Sequence, residues 1–197
     1  MTRAGYVLVG GHSRRMRRDK ALLLLRGRPL VLHVAAAAAA AAGTVALVGD
    51  PARYVTLGLP VIPDDFPGEG PLGGICTALR HTSAEWNLVL ACDMPAITVE
   101  FLRELFELAN RVGAAALLPA GPSGVPEPLC AVYHARCLPF AEAALERGVR
   151  KVAEGLAGAG LQIRHFASDA VFRNCNTPEE WSDYIENDAP EAGLDEG

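Results

Sequence analysis

The fold turns on one stretch, Tyr6-Val7-Leu8-Val9-Gly10-Gly11-His12-Ser13-Arg14-Arg15-Met16-Arg17-Arg18-Asp19-Lys20. Its first four residues form a short apolar run, which reads as a strand buried on both faces. The glycine pair ends the strand and lets the backbone approach a ligand with its N–H groups exposed. Four arginines and a lysine follow within seven positions. A glycine loop after a buried strand, trailed by cations, suits a polyphosphate: backbone donors cradle the oxygens and the cations offset their charge. No G-K-[ST] follows, so the stretch is not a Walker A loop. A solvated basic loop is the plainer alternative. Lysine occurs only at positions 20 and 151 of this arginine-rich chain, which points to a need for a compact ammonium at Lys20.

Working outward, strands and helices alternate. Pro29 opens a helix that Val31 to Ala42 continue and Gly43 stops. Its run of eight alanines favours helix, and the small side chains allow close packing on a sheet. Val45–Val48, Leu59–Ile62, Trp86–Ala91, Ala114–Leu118, Pro128–Tyr133 and Leu161–Phe166 read as further strands. Helices are expected at 51–57, 72–79, after a Thr98 cap, at 138–145 and 149–156, and after a Thr177 cap. This order predicts an α/β chain with a mostly parallel central sheet, residues 1–186 forming one domain. Residues 187–197 are expected to be an acidic, disordered tail.

In such a sheet, ligands bind at the carboxyl ends of the strands, which selects the loops after Val9 and after Ala91. The second loop reads Cys92-Asp93-Met94-Pro95. Asp93 can bind a hard cation such as Mg2+ carried by substrate phosphates, or can simply cap the turn before Pro95. Asp64 and Asp65 end another strand and can contact a ribose or base, or form a plain acidic turn. Asn174-Cys175-Asn176-Thr177-Pro178 can close a substrate site or only cap the last helix. Gly68 to Gly73 matches G-x-G-x-x-G literally, but Pro63 to Pro67 separate it from a strand and it lies far from the first βα turn. It is therefore no dinucleotide fingerprint.

The formal net charge of −5 argues against nucleic-acid grooves, which depend on basic surface. The charge is unevenly spread: residues 1–30 carry eight bases against Asp19, and residues 177–197 carry eight acids and no base. Five cysteines without a C-x-x-C pair point to free buried thiols rather than a disulfide framework or zinc site. No signal-peptide pattern or convincing membrane span is visible, so a cytoplasmic location without membrane or nucleic-acid partners is expected.

Taken together, the ordered segments resemble the molybdenum cofactor guanylyltransferase family. Its opening motif is similar to L-A-G-G-x-S-R-R-M-G-x-D-K, here Leu8 to Lys20, followed by Gly27-Arg28-Pro29-Leu30. The resemblance continues through Asp64, Gly70 to Ile75, Cys92 to Pro95, Pro128 to Tyr133, Arg150-Lys151-Val152 and Asn174 to Glu180. It implies a Rossmann-like three-layer nucleotidyltransferase fold. The implied reaction joins GMP from GTP to the terminal phosphate of molybdopterin and releases pyrophosphate.

Carried over by position, Leu8, Val9, Gly10 and Gly11 would bind the guanine and ribose side by backbone. Arg15 and Lys20 would hold the triphosphate, and with Asp93 they form the implied catalytic set. Asp64 would help bind the nucleotide, and Asp93 would hold Mg2+. Arg150, Lys151, Asn174 and Asn176 would face the pterin. The resemblance also implies transient contact with molybdoenzymes or other proteins of cofactor biosynthesis.

Three positions depart from the pattern. Arg17 replaces a usual glycine, Gly49 stands where some members carry asparagine, and Glu127 precedes Pro128 where His or Gln is usual. A cytidylyltransferase using CTP is the nearest alternative, although Gly10 favours the larger guanine base. Sugar-phosphate nucleotidyltransferases share the fold. A non-catalytic cofactor-transfer adaptor is a further alternative, against which the presence of both Lys20 and Asp93 argues.

Overall fold

The computed structural model describes residues 1–10, 19–175 and 177–188. In chain order the strands are β1 (Arg3–Leu8), β2 (Leu24–Leu25), β3 (Arg28–Pro29), β4 (Val45–Val48), β5 (Val61–Ile62), β6 (Trp86–Ala91), β7 (Ala116–Ala120), β8 (Cys130–His134) and β9 (Leu161–His165). The α-helices are α1 (Leu30–Ala42), α2 (Pro51–Tyr54), α3 (Gly70–Arg80), α4 (Val99–Val112), α5 (Leu138–Glu146), α6 (Val152–Gly155) and α7 (Pro178–Asp183). Seven strands form one sheet in the order β5-β4-β1-β6-β8-β7-β9. All pairings are parallel except those of β8 with β6 and β7. The expected mostly parallel α/β sheet is therefore present.

Helices cover both faces, giving three layers. On one face α1 and α4 pack around Val34, Ala38, Leu102, Leu105 and Phe106. On the other, α3 and α5 enclose Leu72, Ile75, Cys76, Ala141 and Ala144. The alanine run lets α1 lie close to β1: a Cβ on Gly5 would sit 3.2 Å from that of Ala38. Gly43 ends α1 at a φ of +89°, which glycine adopts without steric cost. Thr98 caps α4 by accepting from the Phe101 N–H, and Thr177 caps α7 in a reciprocal box with Glu180.

β4 and β6 have the bounds that their apolar runs predict. The β2–β3 hairpin was not anticipated, because two residues per strand carry no readable alternation; Arg26 and Gly27, both at positive φ, make its turn. β7 lies two residues later than expected. The five cysteines are free: four are buried and Cys92 is half-buried. No described helix is long and apolar enough to cross a membrane.

The chain moves from β1 to β4 on one side, and from β6 towards β8 and β7 on the other. The crevice between the carboxyl ends of β1 and β6 is thus the topological switch point, where diverging loops leave room for a ligand. β8 runs the opposite way, so its first residues meet the same edge: the Ala91 N–H donates to the Leu129 carbonyl at 2.7 Å.

Candidate active site at the switch point

Lys20 and Asp93 meet in this crevice. Lys20 Nζ donates to Asp93 Oδ2 at 2.8 Å, with the two side chains 13% and 16% exposed. Lys20 opens a 3-10 turn (Lys20–Leu22), and Asp19 caps it by accepting from the Ala21 N–H. Asp93 lies two residues beyond β6, and its carbonyl accepts from the Cys175 N–H at 3.3 Å. That bond draws the segment before α7 onto the same edge. An ammonium and a carboxylate in a low-water crevice interact more strongly than on the surface. Each is also able to exchange the other for a ligand group of opposite charge.

The surrounding groups make the crevice more acidic. Glu127 lies at the start of the β8 approach. Burial, with the Asp93 charge second, holds its carboxyl above the usual carboxylate range. The Cys92 thiol is pushed up to about 12, first by burial and then by Asp93 and Asp19. It is therefore a thiol at neutral pH and not a nucleophile.

The other expected site residues are placed as follows. The Leu8 side chain fills the space beside Gly74, where an added Cβ would come within 2.6 Å of it. Val9 is buried against Gly49. Both side chains turn into the protein, which leaves only their backbone for a ligand. Gly10 has a φ of +92° and supplies the turn. Gly49 has a packing reason: a Cβ there would lie 2.6 Å from Val9 Cγ2 and 2.8 Å from the Val9 carbonyl oxygen. Any side chain at 49 would have to displace β1's exit.

Asp64 is held in a local network. Its Oδ1 accepts from the Phe66 N–H at 3.0 Å and from the buried Thr77 hydroxyl at 2.9 Å, fixing the loop that leads into α3. Asp65 pairs with Arg80 and His81. Arg150 pairs with Glu69 at 2.7 Å, joining the turn before α6 to the loop before α3, and Lys151 is exposed beside it. Asn174 is half-buried, and its Oδ1 is enclosed without a hydrogen-bond partner among the described residues. Gly11, Arg15 and Asn176 lie outside the described residues, as does the acidic segment 189–197.

Residues 5–161 match the family model of the MobA-like NTP transferase domain. The chain belongs to this family. A relative from Nostoc sp. (strain PCC 7120), named "Probable molybdenum cofactor guanylyltransferase", is 39% identical over 88% of this chain and 86% of its own. A relative of the same name from Methanothermobacter thermautotrophicus is 37% identical over 88% of this chain and 94% of its own. The solved structure of molybdopterin-guanine dinucleotide biosynthesis protein A from Archaeoglobus fulgidus superposes with a TM-score of 0.78 at 28% identity. It covers 93% of this chain and 97% of that one.

Within the MobA-like frame, sequence reasoning left three contributors without a role. Glu127 stood out only as a departure. Asp19 lay in the opening motif unassigned. Tyr54, at the end of α2, was not singled out. Its hydroxyl donates to Asp19 Oδ2 at 2.6 Å, and Arg53 donates to the same oxygen at 2.7 Å. Nothing in the local sequence marks Tyr54, because its partner is 35 positions away. The faint signal was an Asp50-Pro51 helix start just beyond a buried strand, which places α2 at the ligand edge.

Proposed function

We propose that this MobA-like protein transfers GMP from GTP to the terminal phosphate of molybdopterin, forming the guanine dinucleotide cofactor and releasing pyrophosphate. A phosphate oxygen of the pterin attacks the α-phosphorus. A new P–O bond forms, and the bond to the oxygen bridging the α- and β-phosphates breaks. The observation that carries the reading is the Lys20–Asp93 pair at the switch point between β1 and β6, in a chain whose relatives are named for this transfer. The backbone of Leu8 to Gly10 lines the nucleotide side of the crevice, and Lys20 takes the triphosphate. Arg15 supplies a second cation to it. Asp64 stiffens the loop on the nucleotide side. Arg150, Lys151, Asn174 and Asn176 form the pterin side, and the product passes to molybdoenzymes through transient contact in the cytoplasm.

The donor chemistry around Asp93 fits Mg2+. Asp93 and Glu127 are hard oxygen donors, and Asp93 already lies against one cation, the ammonium of Lys20. Among the described residues no cluster of three or more metal-binding side chains occurs. An Mg2+ ion held by one or two carboxylates takes the rest of its shell from water and substrate phosphates. Asp93 would hold it, and when bound it supplies charge stabilisation to the phosphates. The protein's own part is to align the acceptor and the α-phosphate and to place Lys20 against the leaving pyrophosphate.

The test is to incubate the protein with molybdopterin, Mg2+ and each nucleoside triphosphate in turn, and to measure pyrophosphate. Release with GTP alone is expected. No release with GTP rejects the assignment, and release only with CTP selects the cytidylyl reaction. Glu127→Gln removes a negative charge facing Asp93, and should raise the half-saturating Mg2+ concentration several-fold with little change in melting temperature. An unaltered Mg2+ requirement excludes Glu127 from the cation's field.

A further inference from the structure

Tyr54 is wholly buried, and its hydroxyl reaches the residue that opens the Lys20 turn. It donates to Asp19 Oδ2 at 2.6 Å, and it lies 3.8 Å from where a Cβ on Gly10 would stand. Gly10 and Asp19 bracket residues 11–18, the basic loop of the sequence. The phenol is therefore bonded to the residue that leads into the Lys20 turn. Asp19 is the anchor: its other oxygen caps the turn that carries Lys20, and Arg53 reinforces the bond from Tyr54. Burial, followed by the hydrogen bond and charge of Asp19, raises the pKa of the phenol, so it remains a donor at every physiological pH.

We propose that Tyr54 is a positioning residue for nucleotide binding: through Asp19 it fixes the backbone from which Lys20 reaches the triphosphate. A lysine side chain has four flexible carbons, so its aim depends on how firmly its backbone is held. Short hydrogen bonds to an ionised carboxylate are among the stronger tethers available. Neither Tyr54 nor Asp19 need touch the substrate, and the hydroxyl acts through Asp19 on Lys20.

The inference rests on the proposed use of GTP, and the experiment separates the two. Equilibrium GTP binding and steady-state kinetics are measured for wild type, Tyr54→Phe, Lys20→Ala and the double variant. Tyr54→Phe keeps the buried ring and should weaken GTP binding about tenfold, the scale of one charge-assisted hydrogen bond. Its kcat at saturating GTP should fall less than about twofold, since the group sets binding geometry and not chemistry. In the Lys20→Ala background the same substitution should have no further effect on GTP affinity. Unchanged affinity in Tyr54→Phe overturns the proposal. A loss of equal size with and without Lys20 also overturns it, because the hydroxyl then acts independently of the lysine. If wild type uses CTP and not GTP, the guanylyl reading falls and the same four proteins are compared on CTP. A wild type that binds no nucleotide overturns both.

Discussion

Asp93→Ala is expected to lower turnover by about 10²-fold or more at saturating GTP and Mg2+, the scale seen when one preorganised electrostatic contact to a transition state is lost. Such a loss is about 2.7 kcal/mol of barrier. Asp93 stands just beyond β6, paired with Lys20, and is the carboxylate proposed to hold a cation against the transferring phosphates. Its backbone also receives the Cys175 N–H, a bond that the alanine variant keeps. The variant should therefore stay folded, with the loss falling on kcat. Raising Mg2+ should not restore it. An unchanged rate at saturating Mg2+ would reduce Asp93 to a structural partner of Lys20.

Lys20→Ala is expected to act on the other side of the same pair. Removing one charge-assisted donor to a triphosphate costs about 1.5–3 kcal/mol, or roughly 10- to 10²-fold in kcat/KM for GTP. Most of that should appear as a raised KM, so high GTP relieves Lys20→Ala but not Asp93→Ala. Lys20→Arg should recover only part, because the planar guanidinium is not shaped like a compact ammonium. Wild-type kinetics in Lys20→Ala would leave the ion pair a packing feature and remove the lysine from the nucleotide site. Measuring both variants across GTP and Mg2+ concentrations separates a binding group from one that acts on the chemistry.

These two residues illustrate how much of the site was readable. Asp93 could be placed because β6 is a largely apolar run with one carboxylate just past its exit, and ligand sites in parallel sheets lie at strand exits. Lys20 was legible from the cations after Gly10 and from its rarity. That they meet at 2.8 Å was not legible, since 73 positions separate them. The roles of Asp64 and Arg150 show the reverse. Both were read toward ligands, and the structure gives each a local partner as well, Thr77 for one and Glu69 for the other. A sequence motif fixes which side chain is present, but not what else lies within hydrogen-bond reach.

By itself the sequence determined the alternation of strands and helices, the bounds of β4 and β6, the caps at Thr98 and Thr177, and the glycine exit of β1. These follow from local physics: apolar periodicity, capping geometry and the freedom of glycine at positive φ. It also carried the family, through an ordered series of short motifs. Only the tertiary structure decided the direction of β8, because an apolar run reads the same both ways along a sheet. That reversal brings the start of β8, with Leu129, to the exit of β6. The fold likewise decided that Tyr54 holds Asp19 and that Val9 leaves no room for a side chain at 49. Such pairings depend on packing between distant elements, which no local pattern encodes.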